Sequence, residues 1–299
     1  MQSIRPAWQE RPGAAMMTGK AIALILIVIV VVYPFLSVIA TSLASAQDVT
    51  AGGGLVLWPS HPNLSAYRTI FDGGAVAQSV WVSVGITTIG TLASVTITAM
   101  LAYALSRPIL GGRIILLMAL LTLLFPPGII PSYLVVKQLG LLDSYVALVV
   151  PVILNAFNFV VLRQFFMNIP TELLDSARID GATDLMILTR IVLPLSKAVL
   201  AVIALFYAVT TYWNSFFQAL LYLSDNAKWP LQLVARQYVL QGSPILGSVA
   251  YSTTNSGNPP PTEAIQMAVV VVAIVPILIV YPFLQKYFTQ GVLSGAIKG

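Results

Sequence analysis

The side chains able to do chemistry in this chain are crowded into one short run. Residues 171–183 read Thr-Glu-Leu-Leu-Asp-Ser-Ala-Arg-Ile-Asp-Gly-Ala-Thr and carry the densest charge of the 299-residue sequence. Thr171 is placed to cap a helix whose first turn holds Glu172 and Asp175, both favourable beside a positive helix end. Arg178 lies toward the opposite end, and Gly181 can take the left-handed conformation that stops a helix. Ala177 and Gly181, four residues apart, make one face nearly flat, so another element can approach closely. Leu173, Leu174 and Ile179 can anchor the helix elsewhere. The chemistry of such an element is docking, not bond breaking.

Candidates for catalysis and metal binding fail on residue type. His61, the single histidine, sits between Ser60 and Pro62 with no carboxylate cluster at metal spacing. The absence of cysteine excludes disulfides, cysteine-ligated zinc, iron–sulfur clusters and thiol nucleophiles. Residues 13–20 faintly resemble a phosphate loop, but five residues separate Gly13 from Gly19, and Ala21 stands where Ser or Thr would hold magnesium. No catalytic and no metal-binding residue is assigned. An intramembrane enzyme would need a nucleophile with a base, or a ligand set, at matching depth.

The elements that must position the charged run are apolar. Hydrophobic residues make up 58% of the chain and charged residues 8%, and the mean hydropathy is +0.90. That is too much apolar surface for a water-soluble core to hide. A formal charge of +5 comes from 15 Lys and Arg spread along the chain, without the basic face that nucleic-acid recognition needs. Charge-free stretches run over 21–46, 73–106, 114–136, 144–162, 198–224 and 264–285, each able to cross a layer that needs roughly 20 helical residues. Unsatisfied backbone is costly in lipid and the runs lack strand alternation, so helices are expected. The resulting all-α reading has spans at about 21–44, 78–106, 114–136, 144–166, 196–223 and 264–287 within a 21–288 membrane domain. Residues 1–20 precede that domain, 167–195 form its charged loop, and 289–299 a tail.

Arg5, Arg11, Lys20, Arg107, Arg113, Arg163, Arg178, Arg190, Lys197, Lys286 and Lys298 fall on one side of this arrangement. Arg68, Lys137, Lys228 and Arg236 fall on the other. The excess of positive loops inside predicts cytoplasmic termini. Ala44-Ser45-Ala46 resembles a signal-cleavage site, but the preceding apolar run exceeds the roughly 7–15 residues of a signal core. Long outer connections at 45–72 and 225–263 carry Gly52-Gly53-Gly54, Asp72-Gly73-Gly74 and Asn258-Pro259-Pro260-Pro261, turn formers that suit loops able to receive a partner.

The run Asp175-Ser176-Ala177-Arg178-Ile179-Asp180-Gly181-Ala182, followed by Leu193-Pro194, resembles the coupling motif of ATP-binding-cassette (ABC) importer permeases, Glu-Ala-Ala, three residues, Gly and later Leu-Pro. Asp175 and Ser176 depart from that pattern but keep charge and small size. Ala102 to Arg107, Phe125-Pro126-Pro127, Leu139-Gly140-Leu141, Leu162 to Phe166, Tyr212-Trp213-Asn214 and the ending from Gln285 to Gly299 are similar to the carbohydrate-type permeases. That group contains the maltose transporter's smaller subunit and its complex or acidic oligosaccharide relatives. The resemblance implies a type I importer fold of six transmembrane helices with a cytoplasmic coupling helix, in a bacterial plasma (inner) membrane. It implies a non-catalytic subunit for sugar or oligosaccharide import that binds no cofactor, with ATP and Mg held by separate ATPase subunits. The implied partners are a second permease, two ATP-binding-cassette subunits and an extracytoplasmic solute-binding protein. Glu172, Asp175, Ser176, Ala177, Arg178, Asp180, Gly181, Ala182, Leu193 and Pro194 would then couple to the ATPase, and Tyr212, Trp213, Asn214 and Phe217 would border the substrate path. The alternative is a self-contained secondary carrier or channel, which should show inverted repeats or ionisable groups at membrane depth. Neither is visible in the charge-free stretches.

Overall fold

The computed structural model describes residues 14–72, 74–241 and 260–296, and two compact units divide the chain. The first thirteen residues, Asn258-Pro259 with the rest of 242–259, and the last three residues of the tail lie outside the described residues.

One unit comprises Met1–Thr69 with Gly257–Val271. It contains α1 (Ala14–Ser42), α2 (Ala46–Ala51) and most of α3 (Ser65–Asp72). Almost every side chain of α1 from Ile22 to Leu36 is exposed and apolar, the character of a helix whose surroundings are lipid. Beyond it the chain turns through a small polar lock. Thr41 Oγ1 accepts from Val56 N at 2.9 Å, and Ser42 Oγ pairs with Tyr67 OH at 2.8 Å. A capping box starts α2, with Ser45 and Asp48 satisfying each other's backbone. Asp48 also accepts from the backbone N–H groups of Ser60 and His61, each at 3.3 Å. The Ser45 hydroxyl and these amides together hold its carboxyl down at about 2.

The other unit, Ile70–Ser256 with Val272–Gly299, is built around α4 (Ala75–Leu105). Its 31 residues extend roughly 45 Å at about 1.5 Å each, long enough to cross a hydrocarbon core of about 30 Å with tilt or with residues to spare. Next come α5 (Gly112–Leu124) and α6 (Ile129–Gln138). The stretch 114–136 is therefore not one helix. Pro126 and Pro127 lack the N–H a helix needs and push the residues before them out of helical conformation, so the chain opens at Phe125, whose ψ is 72°. Then α7 (Val146–Val149) and a 3₁₀ turn through Val152 meet α8 (Ala156–Met167) at a 51° bend. The short helices α9 (Thr171–Ile179), α10 (Asp184–Ile187) and α11 (Leu193–Leu195) follow. α12 (Lys197–Leu205) continues as a π-helix over Phe206–Trp213 and is followed by α13 (Phe216–Tyr222). The last two are α14 (Leu231–Gln241) and α15 (Thr262–Ala296), whose C-terminal part belongs to this unit.

Among the described residues three helices, Ala15–Ser42, Ala75–Leu105 and Thr262–Pro282, are long and apolar enough to cross a membrane by themselves, and five segments qualify when each bent pair counts once. The expected third crossing corresponds to α5 and α6, of which α5 has 13 residues. All regular structure among the described residues is helical. The core of this second unit is a cluster that includes Leu148, Phe159, Leu162, Phe166, Ile203, Tyr207 and Tyr212.

Candidate coupling helix and pathway

The charged run folds as α9, with the chain supplying both its stops. Pro170 occupies the N-cap position at ψ 131° and Thr171 is the first helical residue, so the threonine does not cap and no side chain does. Proline's fixed φ makes it a compatible entry residue. At the other end Gly181 has φ +85°. The Gly181 N–H donates to the Arg178 carbonyl at 3.0 Å and the Ala182 N–H to Ala177 at 2.9 Å, the paired bonds of a left-handed glycine stop. A Cβ at Gly181 would meet nothing within 4 Å. This glycine is required by backbone conformation, not by close packing.

Which face is buried differs from the sequence reading. Leu174 alone is deeply buried, at 1% exposure, while Ile179 is 86% exposed and Leu173 is 42% exposed. Ala177 and Ala182 pack against the chain's own core while Gly181 is exposed, so the expected flat face of Ala177 and Gly181 is split, its alanine turned inward and its glycine left open. The opposite face leaves Glu172, Asp175, Ser176, Asp180 and Ile179 in the open. Arg178 bridges Asp175 at 3.1 Å and Asp184 at 3.5 Å, with all three side chains substantially exposed. Such pairs contribute about 0–1 kcal/mol, so they orient the surface more than they stabilise it.

Beyond α9, Thr183 caps α10 by accepting from Met186 N at 3.4 Å. Ile187, Leu188 and Val192 then bury themselves through a π turn at Leu188–Val192. Pro194 lacks the N–H that the carbonyl four residues back would receive, which fits the loosened helix just before it. Leu193 packs on the core while Pro194 is exposed, and the chain bends 82° into α12. Tyr103, near the end of α4, donates to Asp184 Oδ1 at 3.4 Å, and the Arg107 guanidinium lies 5.4 Å from the Tyr103 ring centre. Arg163 Nε donates to the Leu105 carbonyl at 2.7 Å, tying α8 to the same end.

Of the residues expected beside a path, two are interior. Tyr212 is buried, its hydroxyl paired with Ser94 Oγ at 2.6 Å, and its ring lies where a Cβ on Gly90 would sit 2.7 Å away. Trp213 is buried and Nε1 donates to the Ala273 carbonyl at 3.1 Å. Asn214 is exposed, and Phe217 is 40% exposed. Sequence reasoning passed over the polar ladder around them. Tyr207 OH pairs with Thr98 Oγ1 at 2.9 Å and accepts from Asn155 N at 2.9 Å, while Ser83 Oγ accepts from Leu231 N at 2.7 Å. A signal existed: Ser79, Ser83, Gly90, Ser94, Thr98 and Ala102 are buried on one face of α4, the small-residue stripe by which membrane helices approach each other.

The opposite end of α4 holds a second missed cluster. Asp143, at φ +56°, accepts from Ser224 N and Asp225 N at 3.1 and 3.0 Å and pairs with Lys228 Nζ at 2.7 Å. Lys228 also donates to the Asp143 carbonyl at 2.9 Å, and Gln78 Nε2 of α4 donates to Ala227 at 2.8 Å. The Lys228 ammonium and these amides hold the Asp143 carboxyl below its ordinary range, and the same bond to Asp143 pushes Lys228 up.

Comparison with known proteins matches residues 94–294 to a family described as binding-protein-dependent transport system inner membrane component. The chain is 47% identical to the polygalacturonan/rhamnogalacturonan transport system permease protein YtcP of Bacillus subtilis, over 92% of this chain and 96% of that one. It is 43% identical to protein LplC of Bacillus subtilis over 90% of each. Among solved structures, a bacterial ABC transporter involved in the import of the acidic polysaccharide alginate contains a similar chain, with a TM-score of 0.86 and 30% identity, covering 95% of this chain and 100% of that one.

Proposed function

From the premise that this chain belongs to the family of binding-protein-dependent transport system inner membrane components, and so is a non-catalytic, multi-pass permease subunit of an ABC importer, we propose that its cargo is an oligosaccharide derived from an acidic polysaccharide. The observation that carries this reading is the near full-length similarity to a permease named for polygalacturonan and rhamnogalacturonan. Similarity to a chain of an alginate importer supports it. The chain would line half of the pathway, beside a second permease, two ATPase subunits that bind ATP and Mg, and a solute-binding protein outside. Its place would be the bacterial inner membrane with both termini cytoplasmic.

Residues 175–182 would seat α9 in the ATPase subunit. Its outward face offers what a docking surface needs: an exposed isoleucine ringed by Glu172, Asp175, Ser176 and Asp180. Ala177, Ala182 and Leu193 would act from behind that face by holding it on the core, and Pro194 would set the exit toward α12. ATP-driven closure of the partner dimer would move α9 and α10, and the Tyr103–Asp184 contact would pass the motion to α4. Asn214 and Phe217, the exposed pair after the π-helix, are the path candidates within reach of solute, with Tyr212 and Trp213 supporting them from the interior.

The test is ATP hydrolysis by the reconstituted complex with its binding protein, across oligogalacturonides, alginate oligomers and neutral sugars. Stimulation by acidic oligosaccharides alone supports the cargo, and stimulation by neutral sugars alone refutes it. In an assembled Gly181→Trp complex, stimulation falls at least tenfold; unchanged stimulation removes α9 from the mechanism.

A further inference from the structure

Between the end of α4 and the start of α5 lies an open pocket of about 670 Å³, lined by residues that include Arg107, Arg113 and Arg163 and no Asp or Glu. Arg107 Nε and Nη2 are buried without a hydrogen-bond partner, while the guanidinium carbon lies 5.4 Å from the centre of the Tyr103 ring. With no acid among the lining residues, three guanidiniums face the pocket with no carboxylate in it to neutralise them, and an anion entering it supplies the missing charge. Arg163 is fixed at the wall by its bond to the Leu105 carbonyl. The same corner holds the N-terminus of α5, whose cap residue, Gly111, is left-handed and offers no side chain, so the positive helix end adds to the field.

The surroundings choose among anions. Ile114, Leu117, Met118 and Leu121 are all more than half exposed, and their spacing places them on one face of α5, running away from the arginines. A free phosphate would use the guanidiniums and ignore this stripe. An amphiphile uses both, with its charged group in the pocket and its chain along the helix. We propose that this corner is a binding site for an anionic glycerophospholipid, the phosphodiester held by Arg107 with Arg113 and Arg163, and one acyl chain lying on the outer face of α5.

The full importer complex, purified in mild detergent, is titrated with phosphatidylglycerol or phosphatidylcholine and the retained lipid is read by native mass spectrometry. This readout is independent of cargo and of ATPase docking. Phosphatidylglycerol is expected to be retained over phosphatidylcholine, and Arg107→Gln and Arg113→Gln are each expected to weaken it about fivefold, the factor for roughly one basic contact. Arg107→Lys, which keeps the charge but not the planar fork, falls between, and Lys137→Gln changes nothing. Equal retention in the native complex and in Arg107→Gln overturns the proposal. So does complete displacement of the lipid by millimolar inorganic phosphate, which identifies a free-anion site. Loss of assembly in Arg107→Gln and Arg107→Lys with unchanged lipid retention identifies a protein contact instead, and likewise overturns it.

Discussion

The two ends of α4 carry charge in opposite styles. At the Gln78 end, Asp143 and Lys228 are tied into backbone on several sides, and Gln78 bonds to the same loop. At the Tyr103 end, Arg178 shares two exposed carboxylates, Ile179 stands in solvent, and Leu174 is the one deeply buried side chain of the helix. One end is satisfied within the chain and the other is left for something else to satisfy. A segment with few buried contacts is also the segment that moves at least cost.

Leu174→Ala should break the comparison most sharply, since it removes the single deeply buried anchor of α9 at about 2–5 kcal/mol for a buried leucine. Hydrogen exchange over 171–182 should accelerate while that of 143 and 222–228 stays as it was; acceleration at both ends would show that α4 transmits the loss. Gly90→Ala tests the strut between them. Its methyl would meet the Tyr212 ring at 2.7 Å, so the melting temperature of the complex should drop by the equivalent of about 1–3 kcal/mol, and Tyr212→Leu should restore part of it. Gly181→Ala should cost about 1–2 kcal/mol through the left-handed backbone alone, and Gly181→Asn less, with the difference visible in exchange protection of the Ala177–Ala182 turn. Arg178→Ala should change stability by no more than about 1 kcal/mol, leaving any effect on stimulated hydrolysis attributable to docking.

At neutral pH the clamp at the Gln78 end is constant, and its titration is the finest test of the contrast. Asp143 sits below the ordinary carboxylate value of 3.8 because Lys228 bonds to it. Its contribution is therefore complete above that value and disappears as pH falls through the lowered one. Lys228 sits above 10.5 for the same reason, so its contribution is complete below 10.5 and disappears as pH rises beyond its own raised value. Protection of 224–228 should hold between these limits and fall outside them. Around α2, protection should fail between about pH 4 and 2, as Asp48 protonates.

Much of the candidate site was legible. The charge density of 171–183 and the position of Gly181 predict a short helix with a left-handed stop, and both are local properties. Thr171 was misread because a threonine in front of carboxylates satisfies the capping pattern, while Pro170 just before it can equally begin the helix. The inward turn of Ala177 and the exposure of Ile179 are not local properties. They depend on what packs behind α9, and a nine-residue helix with two possible apolar faces does not say which one is covered.

Composition, charge-free length and loop charge determined by themselves that this chain is helical and lives in lipid, because backbone polarity and hydrocarbon thickness leave few alternatives. The tertiary structure decided which polar groups are spent and which are free. Tyr212 and Trp213 are adjacent to Asn214 in sequence, but the first two give their polar atoms to Ser94 and Ala273 and the third faces outward. Asp143 and Lys228 are 85 positions apart and bonded, whereas Arg107 has buried donors and no acid beside them. Hydrogen bonding is satisfied or left open only once distant segments meet, so no reading of one segment at a time separates a structural side chain from one that awaits a ligand.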